Sequence, residues 1–193
     1  IMTYVFTKIS GLPENQIMGS GTILDTARLR YGLSEHFKVA QGIIHAYVFG
    51  EHGDTSFIPW TGAYISGLST DEYYEEMKAH GKDVKPLDKE AMLEYVQKSG
   101  GKVIAKKGAT FYAVSATVCQ LVGLILAASD SLATVSSMLH GEYGIEDVCL
   151  STLTLVGPNG IQGKVQMRMN KEEVALLKKS ADALKEVIAQ IEL

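Results

Sequence analysis

The sequence predicts an α+β domain, and three observations carry that prediction. Apolar residues recur at spacings of 3 and 4 at Val174, Leu177, Ala181, Leu184, Ile188 and Ile191, one face of an amphipathic helix. Ile43-Ile44-His45-Ala46-Tyr47-Val48-Phe49 is rich in β-branched and aromatic residues and reads as a strand. The 193 residues are 46% hydrophobic and 21% charged, an ordinary globular composition, and the length suits one domain or one large lobe.

In chain order, Tyr4, Val5 and Ile9 form the tail of an apolar helix. A Gly19-Ser20-Gly21 turn precedes Thr22, and Thr22 with Asp25 three residues on marks a helix start. The helix from about Asp25 to Phe37 puts Asp25 and Arg28 at i and i+3 on one face, where an ion pair is worth a few tenths of a kcal/mol. Ile43 to Gly50 forms the strand, its alternation setting His45, Tyr47 and Phe49 on one side. Phe57-Ile58-Pro59-Trp60 and Ala63-Tyr64-Ile65 are short strand pieces. Ser69 with Glu72 is a capping box that opens a helix running to about His80. Lys82 to Asp88 is a polar loop, and a charged helix from about Lys89 ends at the Gly100-Gly101 pair.

Thr110 to Ala128 contains no charged residue in 19 positions, a length that could suggest a membrane span. Ser115, Thr117, Gln120 and Gly123 dilute the stretch, and no basic flank marks a cytoplasmic side. It reads instead as a long helix, continued through Asp130, buried in the core or against another subunit. Strands follow at Ile145 to Thr154 and Gly163 to Met169, with Pro158-Asn159-Gly160 as the turn between them. Asn170 caps the last helix with Glu173 at the third position, and Lys178, Lys179, Lys185 and Glu186 face outward.

A net charge of −4, with no Lys/Arg-rich run, gives no reason to expect nucleic acid or an anionic membrane as partner. Cys119 and Cys149 have no metal-ligand spacing and form no disulfide framework, and no secretory leader is read, so a reducing cytoplasmic setting fits. Gly19-Ser20-Gly21 begins like a dinucleotide fingerprint, but Leu24 stands where the third glycine belongs and no acidic residue follows at the required distance. No Walker-type loop exists either. A nucleotide-binding lobe is therefore not expected within these residues.

The stretch that carries chemistry is Gly50-Glu51-His52-Gly53-Asp54. The glycines let the chain turn where the strand ends, so His52 can project from the sheet's rim. An imidazole titrates near 6.5 and can give and take a proton near neutrality. The competing reading is an ordinary surface histidine in a polar connection.

The pattern Gly19-Ser20-Gly21-Thr22-x-Leu24-Asp25-Thr26-Ala27-Arg28-x-Arg30, followed 20 residues after Arg30 by Gly50-Glu51-His52-Gly53-Asp54-Thr55, resembles the L-lactate/malate dehydrogenase family, and within it the bacterial L-lactate dehydrogenases. The likeness resumes at Lys107-Gly108-Ala109-Thr110-Phe111-Tyr112 and at Val156-Gly157-Pro158-Asn159-Gly160-Ile161. It implies that residues 1–193 form the family's substrate-binding and catalytic domain, a mixed, largely antiparallel sheet packed with long helices. Residues 1–19 would be the junction with a Rossmann domain absent from this sequence.

The resemblance also implies roles. His52 would donate a proton to the carbonyl of a 2-oxo acid, Asp25 would hold its other ring nitrogen, and Arg28 would grip the substrate carboxylate. Asp25 and Arg28 would thus be neighbours with different clients. Thr110 would line a pocket for a small side chain, and Ser20 and Val114 would touch the nicotinamide of NAD. Arg30 and His45 match residues that bind fructose 1,6-bisphosphate at a subunit interface. Pyruvate and L-lactate are the expected substrates, in fermentative glycolysis, and an allosteric homotetramer the expected assembly. Malate dehydrogenase, a non-catalytic assembly fragment, and a metal hydrolase built on His52, Asp25 and Asp54 are the competing readings; the last lacks a paired-ligand spacing. His36, His80 and His140 fall in no motif.

Overall fold

The computed structural model describes residues 1–192. The elements are α1 (Met2–Ile9), α2 (Ile23–Phe37), β1 (Ile44–His45), β2 (Tyr64–Ile65), β3 (Leu68–Ser69), α3 (Thr70–Ala79), α4 (Lys89–Lys107), α5 (Tyr112–Leu126), β4 (Ser131–Ala133), β5 (Ser136–His140), β6 (Glu146–Ser151), β7 (Thr154–Gly157), β8 (Gly160–Lys164) and α6 (Lys171–Ile188). This is the α+β class the sequence predicts. Its strands are divided among three small antiparallel sheets, ordered β1-β2-β3, β4-β7-β8 and β5-β6.

Two cores flank the segment that leads to His52. One gathers Leu29, Leu33, Phe37, Ile44, Val48, Ile65 and Val96; the other gathers Phe49, Phe57, Leu139, Val148, Leu150 and Leu177. Val48 and Phe49 are adjacent, fully buried, and belong to different cores, because consecutive side chains of an extended chain point to opposite sides. The expected strand from Ile43 to Gly50 is regular only at Ile44–His45, then continues as isolated bridges from Phe49 to Phe57 and from Gly50 to Ser151. Its expected face is not uniform: His45 is exposed, Tyr47 half-buried and Phe49 buried. A segment enclosed on both sides loses the alternation of a half-exposed strand.

The helices with strong end signals match their expected bounds. Ser69 and Glu72 form a reciprocal capping box on α3, and Asn170 and Glu173 form another on α6. The expected strand piece Phe57 to Trp60 is only an isolated bridge at Phe57 followed by a tight helical turn at Trp60–Gly62, and three further expectations fail. First, α4 runs through Gly100-Gly101 and ends at Gly108, whose left-handed φ of 78° terminates it. A helical glycine costs about 1 kcal/mol against alanine, which packing along the rest of a 19-residue helix outweighs. Second, α5 stops at Leu126, and Asp130 lies in the connection to β4. Within this chain α5 buries only Thr117 and Leu121, leaving Tyr112 and Leu126 each 79% exposed, so it is not a core helix. Third, β8 occupies Gly160–Lys164 and not 163–169, although the Pro158-Asn159 turn falls where expected. The β4 and β5 strands, rich in serine, carried no strand signal. Among the described residues no helix is long and apolar enough to cross a membrane.

Candidate active site

The site begins with the turn before α2. Gly21 has a φ of +51°, and a Cβ there would sit 2.6 Å from the backbone nitrogen of Ser136, so only glycine fits. Thr22 is the residue before the helix, but its hydroxyl does not cap it. It donates to the carbonyl of Val48 at 2.5 Å, while Thr26 Oγ1, one turn on, accepts from the Val48 N–H at 3.0 Å. Two buried hydroxyls thus pin both backbone groups of Val48 to the first turns of α2. The chain then passes through Gly50, whose φ of +96° makes the corner, and the N–H of Glu51 donates to Ser180 Oγ on α6 at 2.9 Å. His52 follows, anchored on two sides.

Asp25 projects from α2 toward it and is 4% exposed. His52 Nδ1 donates to Asp25 Oδ2 at 2.6 Å, and Arg28 donates from one guanidinium nitrogen to Asp25 Oδ1 at 3.1 Å. The i,i+3 ion pair is therefore present beside the histidine contact: one carboxylate holds both residues, an oxygen each. Its hydrogen bond raises the His52 pKa above the usual 6.5, and the nearby Arg28 charge and desolvation only partly oppose it. His52 Nε2 makes no hydrogen bond among the described residues.

Asp25, Arg28, His52, Thr110 and Val114 line one cavity of about 220 Å³. Five of the eight residues expected to act thus meet in one place. Ser20 does not line it; it sits exposed in the turn before α2. Arg30 and His45 also lie apart. Arg30 donates from Nε to the Ala46 carbonyl at 3.1 Å, stacks its guanidinium 5.1 Å from the Tyr47 ring, and lines a second cavity of about 310 Å³ with Gln41 and Gln120. His45 pairs with Tyr64 across the β1–β2 ladder and does not line that cavity.

Sequence reasoning missed the wall supplied by α4. Gln97 Nε2 donates to the carbonyls of Asp54 at 3.2 Å and Ser56 at 2.9 Å, tying the loop after His52 to the helix. Gly100 faces Arg28, where a Cβ would stand 3.8 Å from the guanidinium. At Gly101 a Cβ would meet nothing within 4 Å, so neither glycine is required by a close approach. No cluster of three or more His, Cys, Asp or Glu side chains able to hold a metal ion occurs among the described residues.

This geometry can bind a small carboxylate beside a proton donor. An arginine in this position can offer charge-assisted hydrogen bonds, and a histidine charged more readily than usual can offer a proton.

Comparison with known proteins gives the same picture. Residues 22–192 match the lactate/malate dehydrogenase, alpha/beta C-terminal domain. The chain is 45% identical over 193 residues to an L-lactate dehydrogenase of Acetivibrio thermocellus and 42% identical over 191 residues to L-lactate dehydrogenase 1 of Clostridium acetobutylicum. These matches take in 100% and 99% of this chain and 60% of each relative, so the chain spans about 60% of the length of the curated relatives it matches. A solved L-lactate dehydrogenase from Clostridium thermocellum superposes with a TM-score of 0.89 at 35% identity, covering 100% of this chain and 62% of that one. The fold, the grouping of Asp25, Arg28 and His52, and these likenesses lead to one conclusion: the chain belongs to the lactate/malate dehydrogenase family, as its C-terminal domain.

Proposed function

We propose that this chain is the substrate-binding and catalytic lobe of an NAD-dependent L-lactate dehydrogenase interconverting pyruvate and L-lactate. The observation that carries the reading is the convergence of His52, Asp25 and Arg28 on one cavity of a size suited to a three-carbon acid. Arg28 binds the substrate carboxylate and so orients the adjacent carbonyl. His52, as imidazolium, hydrogen-bonds the carbonyl oxygen through Nε2, polarises it and passes it a proton; in the reverse direction the neutral ring takes the proton from the alcohol. Asp25 holds Nδ1–H, which sets the tautomer and favours the charged ring. Thr110 bounds the space left for the substrate's third carbon.

The apolar side chains Leu24, Ile104 and Val114 on the same cavity suit a nicotinamide ring, with Val114 as the residue that would touch it and Ser20 as a further contact from the exposed turn. NADH supplies the hydride in this chemistry. The chain's own part is binding, orientation and proton transfer.

Fructose 1,6-bisphosphate is proposed as effector at Arg30 and His45, in a cytoplasmic homotetramer where two copies of each would face phosphate groups. Support comes from the position of Arg30, whose Nε bonds the carbonyl of Ala46, the residue after His45.

The test joins this chain to the remaining portion of a full-length L-lactate dehydrogenase and compares pyruvate with oxaloacetate in the presence of NADH. Preference for pyruvate is expected, with no steady turnover by the 193-residue chain alone. Preference for oxaloacetate would replace the lactate reading by the malate one.

A further inference from the structure

Strand β8 terminates in Lys164, whose side chain lines a cavity of about 230 Å³ together with Glu14, Ser137, His140 and Glu142. Its Nζ donates to the hydroxyl of Ser137. The two carboxylates in this cavity are engaged elsewhere. Glu14 Oε1 lies 2.5 Å from His140 Nε2, and Glu142 Oε2 accepts from the His140 backbone N–H at 2.6 Å. Among the described residues Lys164 forms no ion pair, and its one side-chain partner is a hydroxyl. A hydroxyl can accept from an ammonium or donate to a neutral amine, so this setting tolerates either form of the lysine.

We propose that Lys164 is a modification site for small uncharged aldehydes, which enter this cavity and form an imine with its Nζ. Glu14 and Glu142 disfavour anionic electrophiles at the same place, and the cavity holds a molecule of a few carbon atoms. The amine lone pair attacks the carbonyl carbon, a C–N bond forms, and the carbonyl π pair moves to oxygen. Proton transfer from nitrogen to oxygen gives the carbinolamine. Loss of that oxygen as water forms the C=N bond, with no net oxidation or reduction.

Lys164 is half-buried, and the resulting desolvation pushes its amine down to about 8 against the opposing pull of Glu142, Cys149 and Glu14. The other titratable groups of this corner are His140 and Cys149, and burial raises the thiol to about 11, which keeps it neutral. At pH 7.5 roughly a quarter of Lys164 would be the free amine, against about one part in a thousand for an ordinary lysine.

The experiment treats the protein with propanal and cyanoborohydride at pH 7.5, stops at low conversion and locates the secondary amine by peptide mass spectrometry. Lys164 should carry at least ~10-fold more label than exposed lysines such as Lys38 and Lys78, with a rate that levels off above pH 8 and a preference that disappears in urea. Label at Lys164 no greater than at those lysines, or a preference that survives unfolding, would overturn the proposal.

Discussion

Helix α2 serves two cavities from two of its faces, and the two are built differently. Asp25 and Arg28, one turn apart, line the cavity with His52, whereas Thr26, Ala27 and Arg30 line the one with Tyr47 and Gln120. In the first, the partner residue is brought in and locked. Val48 is held by two threonines, Glu51 by Ser180 and the following loop by Gln97. In the second, Arg30 is occupied by a backbone carbonyl and an aromatic ring, and His45 is an exposed residue of β1 outside the cavity. The first cavity holds its charged groups in place within a single chain. The second has one charged group, Arg30, among otherwise neutral side chains.

The sharpest way to break this contrast is His52→Asn, expected to lower pyruvate reduction in the joined protein by ~10³-fold. Arg30→Gln should leave kcat without effector within about twofold and abolish any response to fructose 1,6-bisphosphate. Similar losses in both variants would erase the distinction.

Asp25→Asn comes next, with an expected loss of ~10²-fold, because the carboxylate supports the proton donor without touching the reacting carbonyl. It also moves the pH profile. The raised pKa of His52 means that reduction, which needs the imidazolium, is full at low pH and declines as pH rises through that value. In Asp25→Asn this limb should shift to lower pH. The same pairing contributes stability that is fully present below about pH 6.5 and lost as pH rises through the folded value. Since the His52 side chain is 61% exposed, solvent screens that contribution, and a thermal melt should move little between pH 6 and pH 8.

Thr26→Val tests the lock itself. It removes the acceptor for the buried N–H of Val48 and should destabilise the fold by about 1–3 kcal/mol in urea unfolding. The smallest effect is expected at Lys98→Ala on the exposed face of α4, where solvent screens the i,i+4 pair with Glu94 and urea unfolding should show no resolvable change.

Much of this was legible in the residues themselves. The capping boxes at Ser69 and Asn170 and the 3-and-4 spacing of α6 marked their helices, because these signals act between residues no more than four apart. The pairing of Asp25 with His52, 27 residues away, was reached through resemblance to a family. Local physics offered only an ion pair with Arg28, and the structure shows both interactions on one carboxylate. Thr22 illustrates the opposite case. Its position suggested a cap, yet its hydroxyl bonds a carbonyl 26 residues away, a partner that sequence spacing does not disclose.

What the sequence determined by itself is therefore the helical framework, the turns at Gly21 and Gly50, the family and the residue types at its candidate active site. Tertiary structure alone decided where α4 ends, that α5 leaves most of its apolar surface uncovered within this chain, that α4 lies against Arg28 at Gly100, and that His45 stays outside the Arg30 cavity. It also decided that Lys164 is half-buried beside a serine instead of paired with a carboxylate. The physical reason is range. Caps, turns and helical periodicity are settled by neighbours along the chain, whereas burial, desolvation and the choice among competing hydrogen-bond partners depend on groups that only folding brings together.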